Sequence, residues 1–365
     1  MSTTPRVFGL DLMRTIAITL VVVGHAAWLF PGLPATISML ASLAAFFGVE
    51  IFFVLSGFLI GRIMLREFIR EDFGRASVKN FLMRRWLRTL PAYLVILLLN
   101  IWLATWLNQD MGAVWTYFFM LQNFAWPMPP FFPESWSLSV EEFAYILLPS
   151  VLLFFCGGDR LKRFAWVMAS VIGMGILLKL AHYRINPSAT MSEWNLGLKA
   201  VVIYRFDSIF IGVFAGWLSV TFADWWRKWK YIMAFFGLLG VGFFTVGVGS
   251  MGLFIESAPF FWDVIYLPMV SVSFALFLPL FHTIKTAPRI LTPVSFIALI
   301  SYSMYLLHYS ILLQLFHYWV PPNAGMRLRA FVLVIYLLTL VFSSFVLYRA
   351  VERPFMKWRN SITRP

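Results

Sequence analysis

The sequence predicts an all-α membrane protein, a polytopic bundle of about ten transmembrane helices with both termini cytoplasmic. Three observations carry that expectation. Of the 365 residues, 61% are hydrophobic and only 12% are charged, where a soluble domain averages about 25% charged. Apolar runs of about twenty residues recur along the whole chain, the length a hydrocarbon core of ~30 Å requires. The runs are continuous rather than alternating, so they read as helices, which satisfy their own backbone polar groups in lipid. Finally, the basic residues segregate to alternate connections, as the positive-inside rule demands.

Taken in order, the first span covers 13–31. It lies within FGLDLMRTIAITLVVVGHAAWLF, residues 8–30, which carries Arg14 and His25 inside an apolar run. Its basic flank resembles that of a signal peptide, but the run is longer than a usual h-region, and it reads as an uncleaved anchor. The second span, 38–60, and the sixth, 200–220, carry Gly57 with Gly61 and Gly212 with Gly216, a spacing that permits close helix contact. The third span is 88–107, entered through a basic loop. The fourth, 137–156, carries adjacent carboxylates, Glu141 and Glu142. The fifth, 164–182, the seventh, 231–249, and the eighth, 263–282, are read from their apolar runs. The ninth, 291–319, holds SYSMYLLHYS, and the tenth, 329–350, precedes a basic C-terminal stretch. With the N-terminus inside, 23 of the 29 Lys and Arg residues fall on inner segments.

That topology accounts for most of the net charge of +13, so no nucleic-acid partner is inferred. The single cysteine, Cys156, excludes an internal disulfide. The sequence has no internal repeat and no long polar stretch, so residues 1–365 read as one transmembrane domain without an appended soluble domain. The connection 108–135 is aromatic and proline-rich, too apolar for a solvated loop. It is expected either in the interface or folded back into the bundle, where protein covers irregular backbone. Trp102, Trp106, Trp225, Trp226 and Trp229 sit near span ends and read as interfacial belt residues.

Ionisable groups inside the spans are the candidates for chemistry, because they are costly in lipid and usually face a wet interior. Arg14 and His25 are eleven residues apart, about 20° off a common helix face and roughly 16 Å along the axis. The inner loop before the third span holds eight basic and three acidic residues. Arg84, Arg85 and Arg88 stand at the expected helix start before Pro91, with Arg85 and Arg88 sharing a face. Paired arginines suit phosphate, since each offers a planar fork of donors; binding of anionic lipid head groups is the alternative. Glu141 shares a face with Ser137 and Tyr145, whereas Glu142 is placed to reach back to the Ser139 backbone as a cap. Arg205 and Asp207 open the sixth span, either as a substrate-binding pair or as an ion pair. His308 shares a face with Ser301 and Tyr305. His25, the Glu pair, Asp207 and His308 fall at mid-membrane or in the outer half. A histidine beside a carboxylate is a general-base pairing. A basic inner face with this group above it suggests a ligand anchored by cytoplasmic phosphates, and a thioester of coenzyme A fits. No metal ligand set is expected.

Seven motifs in order then resemble one family: Arg14 with His25, FFVLSGFL (52–59), RRWLRTLPAY (84–93), SWSLSVEEFAY (135–145), YRFDS (204–208), SYSMYLLH (301–308) and ERPF (352–355). The set looks like the acyltransferase-3 family of integral membrane O-acyltransferases. The resemblance implies ten core helices and transfer of an acyl group, often acetyl, from cytoplasmic acyl-CoA. The acceptor it implies is a hydroxyl of an extracytoplasmic glycan or lipid-linked sugar, and the location a bacterial inner membrane. It implies a catalytic role for His25 with Arg14 as its essential partner, and places Arg85 and Arg88 with the donor. From the residues themselves, a carboxylate from Glu141, Glu142 or Asp207 is expected to orient the His25 ring, Arg84 and Tyr93 to join the donor site, and Arg205, Asp207 and His308 to face the acceptor. Phe143 stands where the family often has Gln. The rival expectation is a proton-coupled transporter or flippase of a glycan or its precursor, since intramembrane His, Asp, Glu and Arg also build proton relays. The absence of a repeat weighs against it.

Overall fold

The computed structural model describes residues 7–362 except 156, 287, 289 and 290. Cys156 and the basic residues Arg6, Arg289 and Arg364 lie outside the described residues. Among the described residues there is no strand. Nine helices are long and apolar enough to cross a membrane, and a shorter apolar one occupies the sixth position. They are α1 (Phe8–Leu29), α2 (Ala35–Phe68), α3 (Arg75–Trp106), α4 (Ser135–Leu153), α5 (Arg160–Ile185), α6 (Phe206–Thr221), α7 (Lys230–Ser250), α8 (Phe261–Thr283), α9 (Thr292–Trp319) and α10 (Met326–Ile362).

The central helix is α2. Its 34 residues run about 50 Å at 1.5 Å per residue, so it outreaches the hydrocarbon core and carries Arg62 and Arg66 beyond it. One face, with Phe53, Ile60 and Met64, packs into a core shared with α3, α4 and α9. The other, with Val54, Leu55 and Phe58, packs into a second core with α7 and α8. The expected glycine contact is a crossing of α2 with α6. A Cβ on Gly57 would stand 2.0 Å from the Ile209 carbonyl oxygen, and one on Gly212 2.2 Å from that of Val54. Only residues without a side chain let the two backbones meet.

Several expectations change. The third helix begins at Arg75, so Arg84, Arg85 and Arg88 lie more than two turns inside it rather than at its start. Hydropathy sees only the apolar part of α3, whereas the amphipathic stretch before it is helical too. The sixth helix is short, because Val201 is extended and Val202–Tyr204 form a separate 3-10 turn, in which Val202 and Ile203 donate their backbone N–H groups to the Asn123 and Phe124 carbonyls at 3.0 and 3.2 Å. The connection 108–135 folds back into the bundle, burying Tyr117, Met120, Gln122, Asn123 and Phe132. Gln122 Nε2 donates to Ser135 Oγ and Ser139 Oγ, and Asn123 Nδ2 to the Trp136 and Ala200 carbonyls. Irregular backbone at this depth is thus covered by protein. Trp102, Trp106, Trp225 and Trp229 are exposed as belt residues are, but Trp226 is buried and stacks on Phe58.

Candidate active site

Two cavities enter the bundle from opposite ends. The inner one, about 510 Å³, opens among Glu67, Ser77 and Asn80 at the basic end of α2 and α3. Arg14, Arg84, Arg85, Arg88 and Arg359 line it, and it penetrates past Glu141 and Glu142 to Ser137. The outer one, about 1130 Å³, is lined mainly by apolar and aromatic side chains with His25, Glu134 and Lys199 among them. Val49 and Tyr305 line both cavities. They form the septum between the two.

The inner cavity gathers the arginines from three helices. The Arg85 guanidinium lies over the Tyr145 ring, 4.9 Å from its centroid. Tyr145 donates its hydroxyl proton to Glu141 Oε2 at 2.7 Å, so Ser56 Oγ, 2.6 Å away, is the donor to Tyr145. Glu142 does not cap Ser139. Its Oε1 accepts from Thr89 Oγ1 at 2.7 Å, tying α4 to α3, while its buried Oε2 has no partner. Arg359 arrives from the end of α10, a contribution that the sequence reading missed because the residue lies beyond the last apolar run.

His25, on the wall of the outer cavity, is paired with the buried His308. His25 Nδ1 is 3.0 Å from His308 Nε2, and His308 Nδ1 is 2.6 Å from the Tyr305 carbonyl oxygen. A carbonyl only accepts, so the His308 proton sits on Nδ1 and its Nε2 is an acceptor. His25 must then donate from Nδ1, which leaves its Nε2 with a free lone pair. The residue brought to His25 is therefore His308, not a carboxylate from Glu141, Glu142 or Asp207. The geometry arises where α9 passes from α-helical into π-helical turns over His308–Leu313, a change that often marks functional sites. Tyr305 donates its hydroxyl to the Glu134 carbonyl at 3.1 Å and lies 2.7 Å from Ser137 Oγ.

Glu134, just before α4, was missed. Its Oε1 accepts from both Ser310 N–H and Oγ at 3.0 and 2.6 Å, while its buried Oε2 has no partner. Burial pushes its carboxyl up to about 7. Lys199, in the connection between α5 and α6, was counted only as a topological charge. Burial, with the Arg205 charge behind it, lowers its ammonium to about 8, which leaves it charged at neutral pH.

Four sequence candidates line neither cavity: His308, buried behind His25, and three more. Tyr93 is buried and donates to the Tyr117 carbonyl at 2.8 Å. Arg205 is ion-paired with Glu50, and Asp207 with Lys179, all four fully buried. Ser271 Oγ adds a hydrogen bond to Glu50 at 2.9 Å. Glu50 and Lys179 were legible as charges inside apolar runs. The ERPF glutamate, Glu352, accepts from Ser303 and locks α10 to α9.

The comparisons bear on this arrangement. The family model described as an acyltransferase domain matches residues 7–349. The chain belongs to this acyltransferase-3 family. It is similar to "Putative O-acetyltransferase SAR0937" of Staphylococcus aureus strain MRSA252, 26% identical across 97% of this chain and 59% of that protein. It is also similar to "O-acetyltransferase OatA" of S. aureus strain NCTC 8325, 24% identical across 96% of this chain and 57% of that protein. The acyltransferase-3 chain thus spans under two thirds of the length of these relatives. No solved structure matches it. Its family membership and the long apolar helices among its described residues make it an integral membrane protein.

Proposed function

We propose that the chain is a membrane O-acyltransferase that moves an acyl group, acetyl by its relatives' names, from cytoplasmic acyl-CoA to a hydroxyl of an extracytoplasmic glycan or lipid-linked sugar. One observation carries this reading: an arginine-lined cavity and a histidine-bearing cavity meet end to end at Val49 and Tyr305. The arginines Arg14, Arg84, Arg85, Arg88 and Arg359 take the donor's phosphates as forked hydrogen-bond partners. The pantetheine arm extends past Glu141 and Glu142 toward the septum. On the other side, His25 Nε2 accepts the proton of the acceptor hydroxyl as its oxygen attacks the thioester carbonyl carbon. The C–S bond breaks, the sulfur leaves as thiolate, and the imidazolium returns the proton to it. His308 holds the His25 ring in the tautomer this needs. The inner end is the cytoplasmic one by the excess of basic residues there.

The test is thioester consumption by the purified full-length protein with acetyl-CoA and a glycan acceptor. Wild type is expected to release free thiol and His25→Ala to fall to background with its melting profile intact. Near-normal turnover in His25→Ala would remove His25 from the chemistry. Solute flux without thioester consumption would favour a transporter instead.

A further inference from the structure

Lys199 ends the π-helical turn Asn195–Lys199 and lines the outer cavity beside His25. Its ammonium lies 5.4 Å from the Trp136 ring centroid and 5.8 Å from that of Phe46. Among the described residues it makes no ion pair and no hydrogen bond. Lys199 is half-buried, and this sets it apart from the buried cations among the described residues. Lys179 is paired with Asp207 and Arg205 with Glu50. Arg329 is spent on the carbonyls of Leu29, Ala324, Pro321 and Pro322. Glu134, on the same cavity, has one oxygen held by Ser310, and Glu256 lies exposed at the mouth. A desolvated ammonium gains from two aromatic faces, but those faces accept none of its three N–H protons. A largely apolar, aromatic cavity with one unpaired cation among a few polar groups is the pattern of a ligand site whose polar anchors fix orientation.

We propose that Lys199 is an anion-recognition residue: the acceptor carries a carboxylate or phosphate that Lys199 binds while the reacting hydroxyl lies at His25. This rests on the transferase reading above. The anchor divides acceptors by charge, so neutral glycans of the same shape bind more weakly.

The experiment measures binding to the purified full-length protein of three probes: methyl glucuronide, glucose 1-phosphate and neutral methyl glucoside. Wild type is expected to bind at least one anionic probe about tenfold more tightly than the neutral one, which is about 1.4 kcal/mol, with the preference shrinking as salt rises. The glucuronide and phosphate arms tell the two anions apart. Lys199→Met should bring all three probes within twofold, and Lys199→Arg should keep the preference. Equal binding of charged and neutral probes by wild type, or an undiminished preference in Lys199→Met, overturns the proposal. Where Lys199→Met fails to fold, the wild-type salt series and Lys199→Arg decide. Acetyl-CoA consumption in the same preparations separates the two readings. Charge-selective binding without any thioester consumption leaves Lys199 standing and removes the transferase. Consumption with no charge selectivity does the reverse.

Discussion

At the scale of residues, the site turns on which nitrogen of His25 is free. Neutral imidazole has one donor and one acceptor nitrogen, and the hydrogen bond made by one decides the state of the other. In the proposed transfer, the chain of bonds from the Tyr305 carbonyl through His308 to His25 Nδ1 leaves Nε2 to serve as the base. His308 is thus a positioning residue. His308→Ala is expected to lower kcat about 100-fold, within the usual worth of general-base catalysis, with the KM for acetyl-CoA within twofold of wild type. His308→Gln, whose amide oxygen accepts from His25 Nδ1, should recover at least tenfold. Steady-state kinetics of the three proteins checks this, and a kcat in His308→Ala close to wild type would refute the relay. His25 and Arg14 were legible in the sequence because a charge or imidazole inside an apolar run is conspicuous. The partner of His25 was not. The pair closes across 283 positions of chain, and the sequence gives no measure of how α9 turns as it becomes π-helical.

At the scale of elements, the bundle is held where backbones touch. Packing between helices in lipid gains nothing from the hydrophobic effect and depends on close contact and polar bonds. The α2–α6 crossing supplies the contact through Gly57 and Gly212, and the Glu50–Arg205 and Lys179–Asp207 pairs supply the bonds beside it. Gly212→Val must push α6 off Val54. Overpacking of this kind typically costs ~1–3 kcal/mol, so a lower melting midpoint and a lower yield of extractable protein are expected. Gly173→Ala on α5 is the control, since nothing lies within 4 Å of its added Cβ. Equal melting of the two variants would show that the crossing tolerates separation. The glycine spacing on both helices was legible as room for close contact, but which helix meets which was not. The ends of α3 and α6 were not legible, since amphipathic turns before Arg84 and the departure at Val202 are set by what they pack on. The alternative open in the sequence paired Arg205 with Asp207, whereas tertiary packing gives each its own partner, Glu50 and Lys179.

At the scale of the whole molecule, two cavities of opposite character face each other across Val49 and Tyr305, which border both. Arginines at one mouth and aromatics in the other could be placed from the sequence by depth, but the septum depends on three helices converging. Gly48 lets α2 approach α1, since its Cβ would stand 2.5 Å from the Ala17 carbonyl oxygen, and the next residue, Val49, borders both cavities as Tyr305 of α9 does. If the acyl group crosses between Val49 and Tyr305, the width there sets the chain length that passes. Tyr305 is held by Ser137 and the Glu134 carbonyl, so Val49 is the adjustable wall. Val49→Ala should raise the kcat/KM of butyryl-CoA relative to acetyl-CoA about tenfold. Val49→Phe should block transfer while acetyl-CoA still binds the inner arginines. Competition among acyl-CoAs of increasing length, read as acylated acceptor by mass spectrometry, measures both effects. An unchanged length preference in Val49→Ala, together with full transfer in Val49→Phe, would mean that donor and acceptor meet by another route.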